Sequence, residues 1–388
     1  MKNILEKVSL LSLSLMLVST FSPSPALPQM IAHFQKQGYP VASVELLFSI
    51  PSFTIIAVLL ITPWLSRKLS ERFTIVLGLL FLSFGGSLPL VGESYRLLVC
   101  SRILLGIGIG LINVRAISII SETYKGRGRI QMLGFRASFE VLGNAVLTAI
   151  VGALLKFGWS SAFSIYLFGL PILAFYLLFS PKSHRLENEE QEVFEESHPA
   201  KLSKQELVYI LGLALLAAFA INVNSANSLR IPILVNQLGI GTPSQASLLL
   251  SVMMLMGILA GACFSDLSSR FGKFLIPLSF ILFSISLLMI GMAQDIWLIA
   301  FGAMLSGLIY SIIVTASFSS VSEHISVHLI GGATTLILVF CNLGGASASF
   351  ALNFFSKISP GLSSSFLIYA ALSLVIGLGI LWKSLRQE

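Results

Sequence analysis

Apolar residues in this chain gather into long blocks, and most polar residues fall in the short gaps between them. Twelve blocks can be drawn, at approximately residues 8–28, 42–65, 73–91, 97–120, 131–155, 161–179, 207–230, 244–264, 274–293, 297–320, 331–354 and 365–382. About 20 helical residues cover the roughly 30 Å of a bilayer's hydrocarbon core, so each block is predicted to cross a membrane as a helix. The weakest break is Gln294-Asp295-Ile296, between the ninth and tenth blocks. One gap alone is long, from Ser180 to Gln205, and it contains the acidic run Glu187-Asn188-Glu189-Glu190-Gln191-Glu192. Such a run cannot bury apolar area and reads as a solvated linker. The pattern divides the chain into a bundle of six helices over residues 1–180, an acidic linker over 181–206, and a second six-helix bundle over 207–388.

Composition agrees and narrows the class. Charged residues make up 11% of the chain and hydrophobic ones 55%, with a mean hydropathy of +0.91. A soluble domain carries about 25% charged residues. The N-terminus resembles a signal peptide, with Lys2 and Lys7 ahead of an apolar run. That run continues through Ser22-Pro23-Ser24-Pro25-Ala26-Leu27-Pro28, and many spans follow, so it reads as an uncleaved first helix. Pro23, Pro25, Pro28, Pro51 and Pro171 are expected to kink or end helices. Cys100, Cys263 and Cys341 lie inside apolar blocks without CxxC spacing, and are expected as small core residues.

Lysine and arginine set the orientation. With an even number of spans and the N-terminus inside, 16 of the 24 fall on the side of the termini, 4 on the other side, and Arg102, Arg115, Arg136 and Arg230 lie within spans. The bias predicts cytoplasmic termini and a multi-pass protein of the cytoplasmic membrane. It also accounts for the net charge of +7 as loop charge, which excludes a nucleic-acid patch.

The halves repeat each other. Ser118, Ser121 and Glu122 return as Ser319, Ser322 and Glu323 at an offset of 201, and Gly106 returns as Gly307 at the same offset. Leu65-Ser66 returns as Leu267-Ser268 at 202, and Ser161, Phe163, Ile165 and Tyr166 return as Ser364, Phe366, Ile368 and Tyr369 at 203. Six spans per repeat make it a parallel repeat, an architecture in which two bundles rock about a midplane site.

These residues resemble the major facilitator superfamily over essentially the whole chain. The family pattern Gly-x-Leu-Ala/Ser-Asp-Arg-x-Gly-Arg-Lys between the second and third spans is matched by Pro63 to Arg72, and a second copy by Ser265 to Lys273. The family's aspartate is replaced by Arg67 in the first copy and Ser269 in the second, where Asp266 stands nearby. Arg102, Gly106, Gly108 and Gly110 resemble the family's Arg-x-x-x-Gly-x-Gly-x-Gly span, and Ala26-Leu27-Pro28 and the Gly158-Trp159-Ser160-Ser161-Ala162-Phe163 entry to the sixth span also look like this family, near its bacterial drug and metabolite efflux permeases. The antiporter pattern of the fifth span is half present, as Gly134 and Gly143 without the following Gly-Pro. The resemblance implies an all-α membrane protein of twelve transmembrane helices in two six-helix bundles related by a parallel internal repeat. It also implies gating loops at Arg67, Lys68, Asp266 and Arg270.

Charges inside apolar spans cost free energy and must face protein or a water-filled cavity. Glu140 sits near the middle of the fifth span, the one acid at that depth, and Arg136 four residues earlier can share its face. With Arg102 they are the candidate proton-coupling set; a structural ion pair and a snorkelling arginine are the alternatives. Arg115, Asn224 and Asn227 are candidate cavity residues, with interhelical hydrogen bonding as the asparagines' other reading. Arg230 reads as an interfacial anchor ending the seventh span, and Gly106, Gly108 and Gly110 as close-packing positions.

No phosphate loop Gly-x-x-x-x-Gly-Lys-Ser/Thr is present, and the five histidines lack metal-ligand spacing, so no enzyme and no cofactor are expected. The expectation is a monomeric secondary transporter with a small-molecule substrate and protons as partners, embedded in lipid and binding no nucleic acid. Its first reading is proton-coupled efflux of an amphipathic or drug-like compound by alternating access. The alternative is an uptake carrier or exchanger for a small organic anion, favoured by three arginines against one glutamate in the fourth and fifth spans.

Overall fold

The computed structural model describes residues 2–124, 126–179, 203–324 and 327–386. The acidic run Glu187 to Glu192 and the side chain of Arg67 lie outside the described residues. Among those described, the chain is helical and holds no β-strand.

Twelve spans form. Ten stretches pass as membrane-crossing helices, an eleventh is a bent pair, and one of the ten, Pro243–Gly291, holds 49 residues. At 1.5 Å per residue that stretch is twice the length one crossing needs, and it consists of two helices, Pro243–Phe271 and Leu275–Gly291. Side chains cap where the polar gaps begin. Ser203 and Glu206 form a capping box on the seventh span, Thr242 and Gln245 on the eighth, and Asp295 accepts from the Leu298 N–H at 2.9 Å to open the tenth.

The first span departs most from expectation. It runs as a helix Lys2–Ser12, short 3₁₀ turns, and a helix Leu27–Gln35, bent by 46°. Pro23, Pro25 and Pro28 lie in this broken stretch, where missing N–H donors and fixed φ favour short turns over a continuous helix. Pro51 behaves otherwise, inside the unbroken helix Val41–Lys68. The seventh span also outruns its expected end, continuing past Arg230 and Pro232 to Leu238, with Gly239 at φ +64° as its left-handed cap. Arg230 does not end the span because it is neutralised inside the protein, as described below.

The cysteines correct another expectation. Cys341 is buried, but Cys100 and Cys263 are exposed on their helices. Lipid is as apolar as a protein core, so a small apolar residue needs no burial here.

The repeat is realised in packing. A Cβ on Gly143 of the fifth span would overlap the backbone carbonyl of Leu15 in the first, and one on Gly344 of the eleventh would overlap that of Ala218 in the seventh. Tyr166 Oη donates to the Ser19 carbonyl at 2.9 Å, and Tyr369 Oη to Asn222 Oδ1 at 2.5 Å. Tyr166 and Tyr369 share the 203-residue offset that relates Ser19 to Asn222. Gly106 and Gly307 are also equivalent, each closing on a backbone carbonyl, of Pro51 and of Met253. The glycine stripe of the fourth span is thus a packing device: Gly106 and Gly110 meet the second span, and Gly108 meets the third.

The two halves join through the second span on the eleventh and the fifth on the eighth. Ser49 Oγ donates to Ser349 Oγ and Ser349 Oγ to the Glu45 carbonyl, both at 2.8 Å. Ser247 Oγ donates to the Thr148 carbonyl, Ser244 Oγ to the Gly152 carbonyl at 2.7 Å, and the Gly152 N–H to Ser247 Oγ at 3.1 Å. All of these lie in the part of each span remote from the chain termini. Nearer the termini, added Cβ atoms on Gly134, Gly261 and Gly332 would meet open space. Among the described residues, the hydrogen bonds between the halves therefore clamp them at the face remote from the termini.

Candidate site between the two halves

The fifth span, Gly126–Leu154, carries the candidate site at its middle. Arg136 Nη2 lies 2.6 Å from Glu140 Oε1, an i,i+4 pair on one helical face. The same Nη2 donates to Asn113 Oδ1 of the fourth span at 2.8 Å, so the guanidinium ties two helices and a carboxylate together. Glu140 faces the seam between the halves. On one flank Gly143 meets the first span; on the other Thr148 meets Met254 of the eighth. Across the seam, Tyr310 of the tenth span stands within the field of the Glu140 carboxylate. Arg136 and Glu140 keep 13% and 18% of their side-chain surface accessible, at a depth where water reaches only through a cavity.

Arg102 is not brought to this pair. It is 1% exposed and lies inside the first half, its guanidinium 4.6 Å from the Phe163 ring centroid and 5.2 Å from that of Tyr166. Nη1 donates to Tyr166 Oη at 3.3 Å and Nη2 to Ser101 Oγ at 3.4 Å. Two aromatic faces in a desolvated setting attract a cation by about 2 kcal/mol each, which offsets part of the cost of burying the charge.

Arg115 is seven residues, two helical turns, beyond Gly108, on the face that packs against the third span. Its Nε has no hydrogen-bond partner among the described residues. Asn227 is buried and donates to Ser306 Oγ of the tenth span at 2.8 Å, while its Oδ1 has no partner among the described residues. Asn224 is half-buried one turn away. Asn222 is a bracket joining the seventh span to Gly344 and Ser347 of the eleventh and Tyr369 of the twelfth. At the loops, Lys68 lies 4.4 Å over the Trp64 ring, and Asp266 and Arg270 are exposed, with no ion pair between them among the described residues.

Sequence reasoning missed a second ion pair. Arg230 Nη1 lies 3.2 Å from Glu45 Oε1, and Nη2 3.4 Å from Oε2 and 3.3 Å from Ser356 Oγ. Glu45 is 1% exposed and Arg230 6%, so the reading of Arg230 as an interfacial anchor is overturned. The available signal was two opposite charges, each a few residues inside a span, near the same face. The helices that bring them together are 185 residues apart in sequence.

Comparison with known proteins places this architecture. A family model described as Major Facilitator Superfamily matches residues 9–349. A probable anion transporter 6, chloroplastic, of Arabidopsis thaliana is 35% identical over 114 residues, which are 28% of this chain and 21% of that protein. The cyanate transport protein CynX of Escherichia coli (strain K12) is 30% identical over 111 residues, 29% of this chain and 28% of that one. The matched stretches thus span little more than a quarter of either relative at most. Among solved structures, a D-xylose-proton symporter superposes with a TM-score of 0.78 at 15% identity, covering 98% of this chain and 97% of that one. The peptide transporter POT superposes equally well, at 14% identity over 99% and 94% of the two chains. At such identities the likeness is one of fold. With the family model across most of its length and that fold over nearly all of it, the chain belongs to the Major Facilitator Superfamily and is a multi-pass membrane protein.

Proposed function

We propose that this protein is a proton-coupled carrier of a small anion, working by alternating access between the bundles of residues 1–180 and 207–388. The observation that carries this reading is the Arg136–Glu140 pair, bonded to Asn113 and facing the seam. Glu140 occupies the guanidinium as an anionic substrate would. Protonation of Glu140 releases its hold on Nη2 of Arg136, and the guanidinium then accepts a carboxylate or oxyanion in its place. Proton and anion enter together, and the charge of the site stays constant through the cycle. The two relatives named for anion and cyanate transport support the choice of an anion over an amphipathic cation. The basic face carrying the termini is placed in the cytoplasm. Arg102 serves this reading by fixing the fourth span against the sixth.

Binding of anionic and cationic candidates to purified variants tests the reading. Arg136→Gln is expected to weaken anion binding roughly 10- to 100-fold, the loss of a charge-assisted bond of about 1.5–3 kcal/mol. Arg136→Lys restores the charge without the fork, so recovery is expected to be partial. Arg115→Gln is expected to change affinity less than about twofold, since that residue shares the face of Gly108. Binding of cationic amphipaths that ignores Arg136→Gln would instead point to drug efflux.

A further inference from the structure

The Glu45–Arg230 pair stands in the wall of a second space, distinct from the seam at Glu140. A cavity of about 330 Å³ lies between the halves at the face remote from the termini. Each half contributes six lining residues, and the polar ones besides the ion pair are Gln35, Asn236, Gln237, Asn353 and Ser356. At about 30 Å³ per water, the volume accommodates an organic anion of a few carbon atoms with some of its hydration. Arg230 is more than nine-tenths buried, lines this cavity, and uses only its two terminal nitrogens; Nε has no hydrogen-bond partner among the described residues. A buried guanidinium with a spare donor, ringed by amides and a hydroxyl, can take an anion in bidentate fashion.

We infer that Arg230 anchors a second, vestibular anion site, where a small carboxylate or oxyanion replaces Glu45 on the guanidinium as Glu45 takes up a proton. Glu45 and Arg230 belong to different halves, so an anion arriving here undoes the ion pair that joins them. Occupation of the site and loosening of the clamp at that face are one event. The inference rests on the anion reading above and extends it to the opposite face. A buried pair is the element to use for this, because one partner left alone at low dielectric is strongly disfavoured and the vacated place demands a charge of the same sign.

Thermal stability of the purified full-length protein, titrated with sodium acetate at constant ionic strength, gives an apparent affinity for each variant. Glu45→Gln keeps the shape and removes the competing charge. It is expected to bind acetate roughly tenfold more tightly than the unmodified protein. That gain should vanish in Glu45→Gln/Arg230→Gln and survive in Glu45→Gln/Arg136→Gln. Because Arg230→Gln can itself weaken the fold, Asn353→Leu in the Glu45→Gln background is the second variant. It replaces a hydrogen-bonding amide of the vestibule wall by an apolar side chain and leaves the guanidinium in place, and it too should remove the gain. No gain in Glu45→Gln, or a gain that persists with Arg230→Gln or Asn353→Leu, overturns the site. Failure of the central reading is told apart because it appears in the Arg136 and Glu140 variants, whose acetate response does not pass through Glu45.

Discussion

Glu140→Gln is expected to abolish proton-driven accumulation of substrate while leaving binding and exchange of the substrate measurable. The amide keeps the shape of the carboxylate and still accepts from Arg136, 2.6 Å away, but it carries neither charge nor a transferable proton. A hydrogen bond to a charged group contributes about 1.5–3 kcal/mol and one between neutral groups about 0.5–1.5, so Arg136 is released by about 1 kcal/mol. Anion binding should therefore tighten several-fold, at about 1.4 kcal/mol per decade. The variant then resembles the protonated carrier locked in that form. It exchanges labelled for unlabelled anion across a proteoliposome membrane, but an imposed pH gradient no longer drives uptake. Arg102→Lys is the matching control, since the lysine keeps a cation over Phe163 and Tyr166 and should leave the ratio of protons to substrate unchanged. Undiminished gradient-driven uptake by Glu140→Gln would reduce the Arg136–Glu140 pair to a structural bond.

Gly143→Ala and Gly344→Ala are expected to be among the most damaging single-methyl changes in the protein. In each case the new Cβ meets a backbone carbonyl of the neighbouring helix, Leu15 or Ala218, and a carbonyl bound into its own helix cannot swing aside as a side chain does. Overpacking typically costs about 1–3 kcal/mol, and the rigidity of both surfaces puts these two at or above the upper end. Thermal unfolding in detergent should show a similar loss for both, because the two sites are related by the repeat. Gly134→Ala gives the contrast on the same helix as Gly143. Its Cβ meets nothing, and alanine's better helix propensity, worth up to about 1 kcal/mol, should hold or raise stability. Equal stability of all three variants would mean that the fifth and eleventh spans do not pack as tightly as described.

The sequence by itself determined the membrane class, the twelve spans, the parallel repeat and the one acid–arginine pair at mid-depth. Each of these follows from a quantity that adds along the chain. Transfer of apolar residues into a bilayer is counted residue by residue, and the Arg136–Glu140 contact is local, fixed by four residues of one helix. The tight glycine stripe was legible for the same reason, since small residues in a span have few uses other than close approach. Helix ends were less so: the seventh span was cut at Arg230 because a lone charge reads as a boundary until its partner is known. Only the tertiary structure decided that Arg230 meets Glu45 across the two halves, that Arg102 rests on Phe163 and Tyr166, and that Cys100 and Cys263 face outward. A soluble helix announces its buried face by where its polar residues stop. A helix in lipid is apolar all round, so periodicity does not mark which side meets protein, and partners far apart in sequence become visible only when the helices that carry them are placed side by side.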